Sequence, residues 1–209
     1  MPSLYEALTW TVDEPAEPHH YVFHSNGELI ANGTRLPTRR PEDAGVPYAN
    51  PHAGFDDGRV LICVAAPDGA PYFYLDRTIS STSRQPVHVV APNGAPIGSI
   101  NVEIGGISGM FSVLSGKRGS VFVLSDANRH RMATYTSPSM RKPRAGGTLA
   151  DSSGAEIAHL AVDRSPNAPR RRCKTMHLRH PLPEPLRTLV IATPIAVEMM
   201  ISSPLRVMP

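Results

Sequence analysis

Cysteine is nearly missing: the 209 residues hold two, Cys63 and Cys173. Two thiols make no disulfide framework, so a packed core has to hold the fold, and a reducing cytoplasm is the expected home. Cys63 sits in the apolar run LICVA and reads as a small core residue. Aromatics are scarce at 6%, with one Trp. That argues against nucleic acid, because single-strand binders set stacking aromatics among their charges, and the basic run RRRCK at 170–174 has none. Catalytic signatures are missing too. No G-x-S-x-G occurs, and Lys117 is followed by Arg118 where a phosphate loop needs Ser or Thr. GGISG at 105–109 leads into no helical pattern, so it is no dinucleotide fingerprint. Nine His are present, among them the close set His19, His20, His24 and the pair His177, His180. No H-x-x-E-H or C-x-x-C spacing accompanies them, and a metal needs three or four converging ligands. The paired acids Glu42-Asp43 and Asp56-Asp57 read as solvated loop residues. We therefore expect no catalytic residue, no metal and no cofactor. His88 and His159 alternate with apolar residues and read as packed strand positions.

What is present is punctuation. Pro (22) and Gly (16) are frequent, which suits many short strands and turns. The first 20 residues are acidic and lack a basic stretch followed by an apolar one, so they read as a polar leader without a secretory signal. YVFHS and ELIANG flank Asn26-Gly27, a strong hairpin signal. Residues 34–58 form a long loop rich in Pro, Gly, Asp and Asn. From Arg59 onward strand patterns and turns alternate: RVLICVAA, PYFYLDRTI, PVHVVA, PIGSINVEI, MFSVLS, SVFVLSD, RMATYTS, TLADSS, AEIAHLAVD and RRRCKTMHLRH. The hexapeptides APDGAP (66–71) and APNGAP (91–96) punctuate this series as two hairpin turns, with Asp68-Gly69 and Asn93-Gly94 expected in the positive-φ positions.

About twelve strands result, and a sheet of that size closes or splits. The chain's end differs. Residues 185–202 are apolar on nearly every side, with Glu184 at the entry, Pro194 inside and Pro204 beyond. A helix apolar all round is buried in protein or in membrane. This one is shorter than the roughly 20 residues a bilayer demands, which favours protein. The expected fold is mainly β: an antiparallel closed barrel of about twelve strands around a buried C-terminal helix. It forms a single domain over 21–204, with a tail at 205–209.

That pattern resembles the tubby C-terminal-like superfamily, which includes phospholipid scramblases and LURP-one-related proteins. The segments that carry the likeness are YFYLDRT (72–78), VHVVAPNGAPIGSI (87–100), FVLSDANRHRMATY (122–135), TLADSSGAEIAHL (148–160) and PLRTLVIATPIAVEMM (185–200). The resemblance implies a twelve-stranded barrel around a hydrophobic helix, and binding of phosphoinositides or association with membranes. The chain departs from the scramblases in having no run of Cys suited to palmitoylation and no acidic EF-hand-type loop.

Charge supplies the functional lead. Residues 1–105 carry 6 Lys/Arg against 12 Asp/Glu, whereas residues 106–209 carry 15 against 6. The basic residues cluster at expected turns and strand ends: Lys117 and Arg118; Arg129 and Arg131; Arg141, Lys142 and Arg144; and Arg170, Arg171, Arg172 with Lys174. If they share a rim, they present guanidinium forks and ammonium groups to phosphate headgroups. The reading is a non-enzymatic binder of anionic phospholipid, cytoplasmic and peripheral at the membrane. Solubilising turns scattered around the barrel are the plainer alternative. A protein-interaction module using loop 34–58 is the other functional reading.

Overall fold

The computed structural model describes residues 3–13, 20–37, 59–78, 85–103, 119–138, 146–164 and 172–201. Twelve strands occur in it: β1 (Thr9–Asp13), β2 (His20–Ser25), β3 (Glu28–Leu36), β4 (Arg59–Ala65), β5 (Pro71–Thr78) and β6 (Val87–Val90), then β7 (Pro96–Glu103), β8 (Val121–Asp126), β9 (Arg131–Thr136), β10 (Gly147–Asp151), β11 (Glu156–Arg164) and β12 (Arg172–Leu178). One helix, α1 (Leu186–Ile201), follows. Each strand pairs antiparallel with its neighbours in sequence, and β1 closes the barrel against β12. The strand count was legible, but its membership was not. β1 comes from the presumed leader, and the candidate strand MFSVLS at 110–115 lies outside the described residues. Direct pairing of β7 with β8, Glu103 against Val121, completes the meander at that point.

Period-two alternation decides which side chains enter the barrel. In β5, Phe73, Leu75 and Arg77 point inward and are buried, while Tyr72, Tyr74 and Asp76 alternate with them. The same parity buries Trp10 and Val12 in β1, and Tyr21 and Phe23 in β2. His88 breaks the expectation of a packed position: it is exposed on the outer face. His159 is half-buried, with its ring over Gly146, where a Cβ would come within 2.6 Å of Nε2.

Four hairpins share one turn. At 66–70, 91–95, 126–130 and 151–155 the first residue's N–H donates to the carbonyl of the fifth, and the fourth's N–H to the carbonyl of the first. These are three-residue connections whose fourth residue is left-handed, each followed by a one-residue bulge. The left-handed position holds Gly69, Gly94 and Gly154, but in the third turn it holds Arg129, at φ 67°. The preceding Asp68 and Asn93 do not have positive φ, a correction to the expected placement. Their side chains instead accept the N–H two residues on, Asp68 Oδ1 from Ala70 and Asn93 Oδ1 from Ala95, both at 3.0 Å. Among the described residues Asn26-Gly27 is the one two-residue hairpin connection, with both residues at positive φ.

α1 fills the barrel. Leu189 through Ala192, Ile195 and Ala196 are fully buried, which is why the helix is apolar all round. It packs against β7 at Gly98, where an added Cβ would lie 3.1 Å from Leu189 Cδ2 and 2.2 Å from Ser125 O. Among the described residues no helix is long and apolar enough to cross a membrane. Polar clamps fix the helix at both ends. Arg77, inward on β5, donates to the Met199 carbonyl in the last turn, where a cation suits the negative end of the helix dipole. Lys174 on β12 reaches Glu198 Oε2 at 2.5 Å and the Pro194 carbonyl at 3.2 Å. Near the other end, Glu184 Oε2 accepts the Thr188 hydroxyl at 2.8 Å, and Tyr5 Oη lies 3.0 Å from Thr188 Oγ1. Burial, then the charge of and hydrogen bond to Glu198, push the Tyr21 phenol well above its ordinary range.

Candidate functional site

The antiparallel meander sorts connections by end. Every short turn, from Asn26-Gly27 to 151–155, lies at one end of the barrel, together with the entry to α1. The strand ends Asp13, Leu36, Thr78, Glu103, Thr136 and Arg164 lie at the other, and so does the end of α1. We call these the turn end and the loop end.

The candidate basic residues divide accordingly. Arg129 and the start of β9 at Arg131 are at the turn end, both residues exposed, but the Arg131 side chain runs along the barrel toward Glu103 at the loop end. Arg131 is engaged: its guanidinium meets Glu103 at 3.4 Å and Thr134 Oγ1 at 2.8 Å. Lys174 is mostly buried and spent on α1, so inside the barrel it serves as a clamp. Arg172 opens β12, its backbone paired with Arg164 at the loop end. Lys117, Arg118, Arg141, Lys142, Arg144, Arg170 and Arg171 lie outside the described residues, as does most of loop 34–58. Their flanking strand ends are described: Glu103 and Val121, Thr136 and Gly147, and Arg164 and Arg172. All three of those connections leave from and return to the loop end.

Set in strand order, the sequences of the connections that join loop-end strand ends are divided by charge. The connections β5–β6, β7–β8, β9–β10 and β11–β12 follow one another around the barrel. In sequence they carry Arg84; Lys117 and Arg118; Arg141, Lys142 and Arg144; and Arg170 and Arg171, with no Asp or Glu. The remaining arc holds the β1–β2 connection, with Glu14 and Glu17, and the β3–β4 connection, with Arg39 and Arg40 against Glu42, Asp43, Asp56 and Asp57. The connections of one arc carry only basic charges, and those of the other are net acidic.

The turn end offers a different chemistry. A groove of about 470 Å³ there is lined by Pro96, Ile97, Asp126, Ala127, Asn128, Glu184 and Pro185. Its carboxylates are already used. Asp126 accepts from the His130 N–H at 2.8 Å, and Glu184 holds Thr188. Burial raises the Asp126 carboxyl somewhat, but the backbone and ring of His130 outweigh it and keep it below the usual range. An anion gains nothing in such a groove. Among the described residues no group of three or more His, Cys, Asp or Glu is arranged to hold a metal ion.

Two charged residues in the interior were missed from the sequence. Arg77 and Arg187 are 2% and 3% exposed. Arg77 had a legible signal, its period-two parity with Phe73 and Leu75. Arg187 showed only as a lone charge at the head of an apolar helix. No family model, curated protein or solved structure that we compared matches this chain.

Proposed function

We propose that the barrel is a non-enzymatic, peripheral binder of anionic phospholipid surfaces that docks with its loop end, in the manner of tubby-like and scramblase-like barrels. The observation that carries this reading is the basic arc: eight Lys or Arg and no acid across four consecutive connections. Each basic residue near an anionic membrane is worth about 1 kcal/mol. Engagement of half the arc gives about 4 kcal/mol, close to a thousandfold in affinity. The groove at the turn end includes the carboxylates of Asp126 and Glu184, so the two ends differ in their attraction to phosphate.

Vesicle co-sedimentation tests it. Protein should pellet with vesicles containing phosphatidylserine or a phosphoinositide and not with pure phosphatidylcholine. Binding should weaken as salt shortens the Debye length from about 10 Å at 0.1 M toward 3 Å at 1 M. Failure to pellet with either lipid sinks the proposal and leaves the interaction module as the better reading.

A further inference from the structure

Arg187 sits in the first turn of α1 and is 3% exposed. Its Nη2 donates to the Ala7 carbonyl at 2.6 Å, and its Cζ lies 5.8 Å from the Trp10 ring centroid. Among the described residues no carboxylate comes within 4.0 Å of it. Glu184 acts on it through space, but that carboxylate is bonded to the Thr188 hydroxyl. Two donors are left over. Arg187 Nε and Trp10 Nε1 are both buried without a hydrogen-bond partner, and Trp10 is fully inaccessible.

Buried N–H groups are nearly always satisfied, by protein or by a bound water or ion, and leaving them unmade is destabilising. A buried cation with no carboxylate in contact is more so. The first turn of α1 adds positive potential from its own N–H groups and contains no acidic residue, with Glu184 just before it accepting from the Thr188 N–H at 3.4 Å. Three needs coincide: an acceptor for each N–H and a negative charge for the guanidinium.

We propose that the barrel interior binds a small inorganic monoanion of the halide class between Arg187 and Trp10. Both donors are buried in the packed interior, which limits the occupant to a small ion. A water molecule would satisfy the donors but leave Arg187 only the through-space charge of Glu184, which is why the anion is the better occupant. The site is separate from the loop end, because α1 begins at the turn end.

Trp10 is the single tryptophan, so its emission reports on this site alone. The full chain is titrated with bromide, a heavy-atom quencher, at constant ionic strength made up with gluconate. Quenching should saturate, chloride should compete it away, and the Tm should be a few degrees higher in chloride than in gluconate, as expected for a ligand of the native state. Arg187→Met should abolish saturation and the chloride dependence of Tm together. Should that variant fail to fold, Trp10→Phe, read by Tm alone, should reduce the difference between chloride and gluconate. Quenching that rises linearly without saturation, or a Tm identical in the two salts, overturns the proposal and makes water the occupant.

Discussion

Lys174→Met removes the cation opposite Glu198. The two side chains are 15% and 20% exposed, with Nζ 2.5 Å from Glu198 Oε2. Deleting one partner of a buried pair costs about 3–5 kcal/mol, because the other charge is stranded. The residual exposure lets water reach Glu198, so the expectation falls just below that range, about 2–3 kcal/mol. Methionine replaces most of the lysine stem, so lost packing adds little. In a protein of this size 1 kcal/mol moves Tm by about 2–4 °C, which puts the fall at roughly 5–10 °C. Thermal unfolding followed by far-UV circular dichroism reads it directly. The double variant Lys174→Met with Glu198→Leu should recover much of the loss, since two apolar groups replace the pair. Vesicle affinity of Lys174→Met should stay unchanged, because the ammonium is used inside the barrel. A single variant that melts like wild type but binds anionic vesicles less well would refute this assignment and return Lys174 to the surface.

Two further outcomes follow from the turns. Arg129→Gly relieves a left-handed residue that the three equivalent turns assign to glycine, and should raise stability by about 1 kcal/mol; an unchanged or lower urea midpoint would contradict the strain. The Asp151 carboxyl is held below its ordinary range, chiefly by the Ser153 hydroxyl, with the backbone N–H groups of Ala155, Ser153 and Gly154 adding to it. A carboxyl lowered in the folded state contributes stability that is present above its unfolded value near 4 and lost as pH falls through the folded value. Urea midpoints measured from pH 5 down to pH 2 should therefore decline less steeply in Asp151→Asn than in wild type, and an identical slope would count against the assignment.

The strands and the helix were legible because local signals and tertiary needs agree there. Asn26-Gly27 marks a turn that needs two positive φ angles, and the all-round apolar 186–201 run makes sense only inside a barrel. β1 was not legible. It is five residues long, it is flanked by acidic and proline residues, and its partner β12 lies about 160 positions away. Only closure of the barrel gives TWTVD a reason to be a strand. Lys174 was misread for the opposite reason: its neighbours Arg170, Arg171 and Arg172 made it look like part of a surface run. Its parity with the buried Met176 and Leu178 was the available clue, and it points inward. Arg129 was recognised as a turn residue, but nothing in ANRH says that arginine takes the glycine position. The charged arc needed strand order as well as sequence, since β12 adjoins β1 and the basic loops are separated along the chain by whole hairpins.

Charge reversal at the two ends of the barrel tests loop-end docking most directly. Arg141→Glu, Lys142→Glu and Arg144→Glu together change the connection between β9 and β10; Arg129→Glu with Arg179→Glu, an exposed residue just past β12, changes the turn end. Partition onto phosphatidylserine-containing vesicles is measured for both, at equal salt and with folding checked by circular dichroism. The loop-end variant should lose at least a hundredfold in affinity, from about 1 kcal/mol per basic residue removed and further repulsion from each acid introduced, while the turn-end variant stays near wild type. Equal losses at both ends, or loss at the turn end alone, would contradict docking through the loop end.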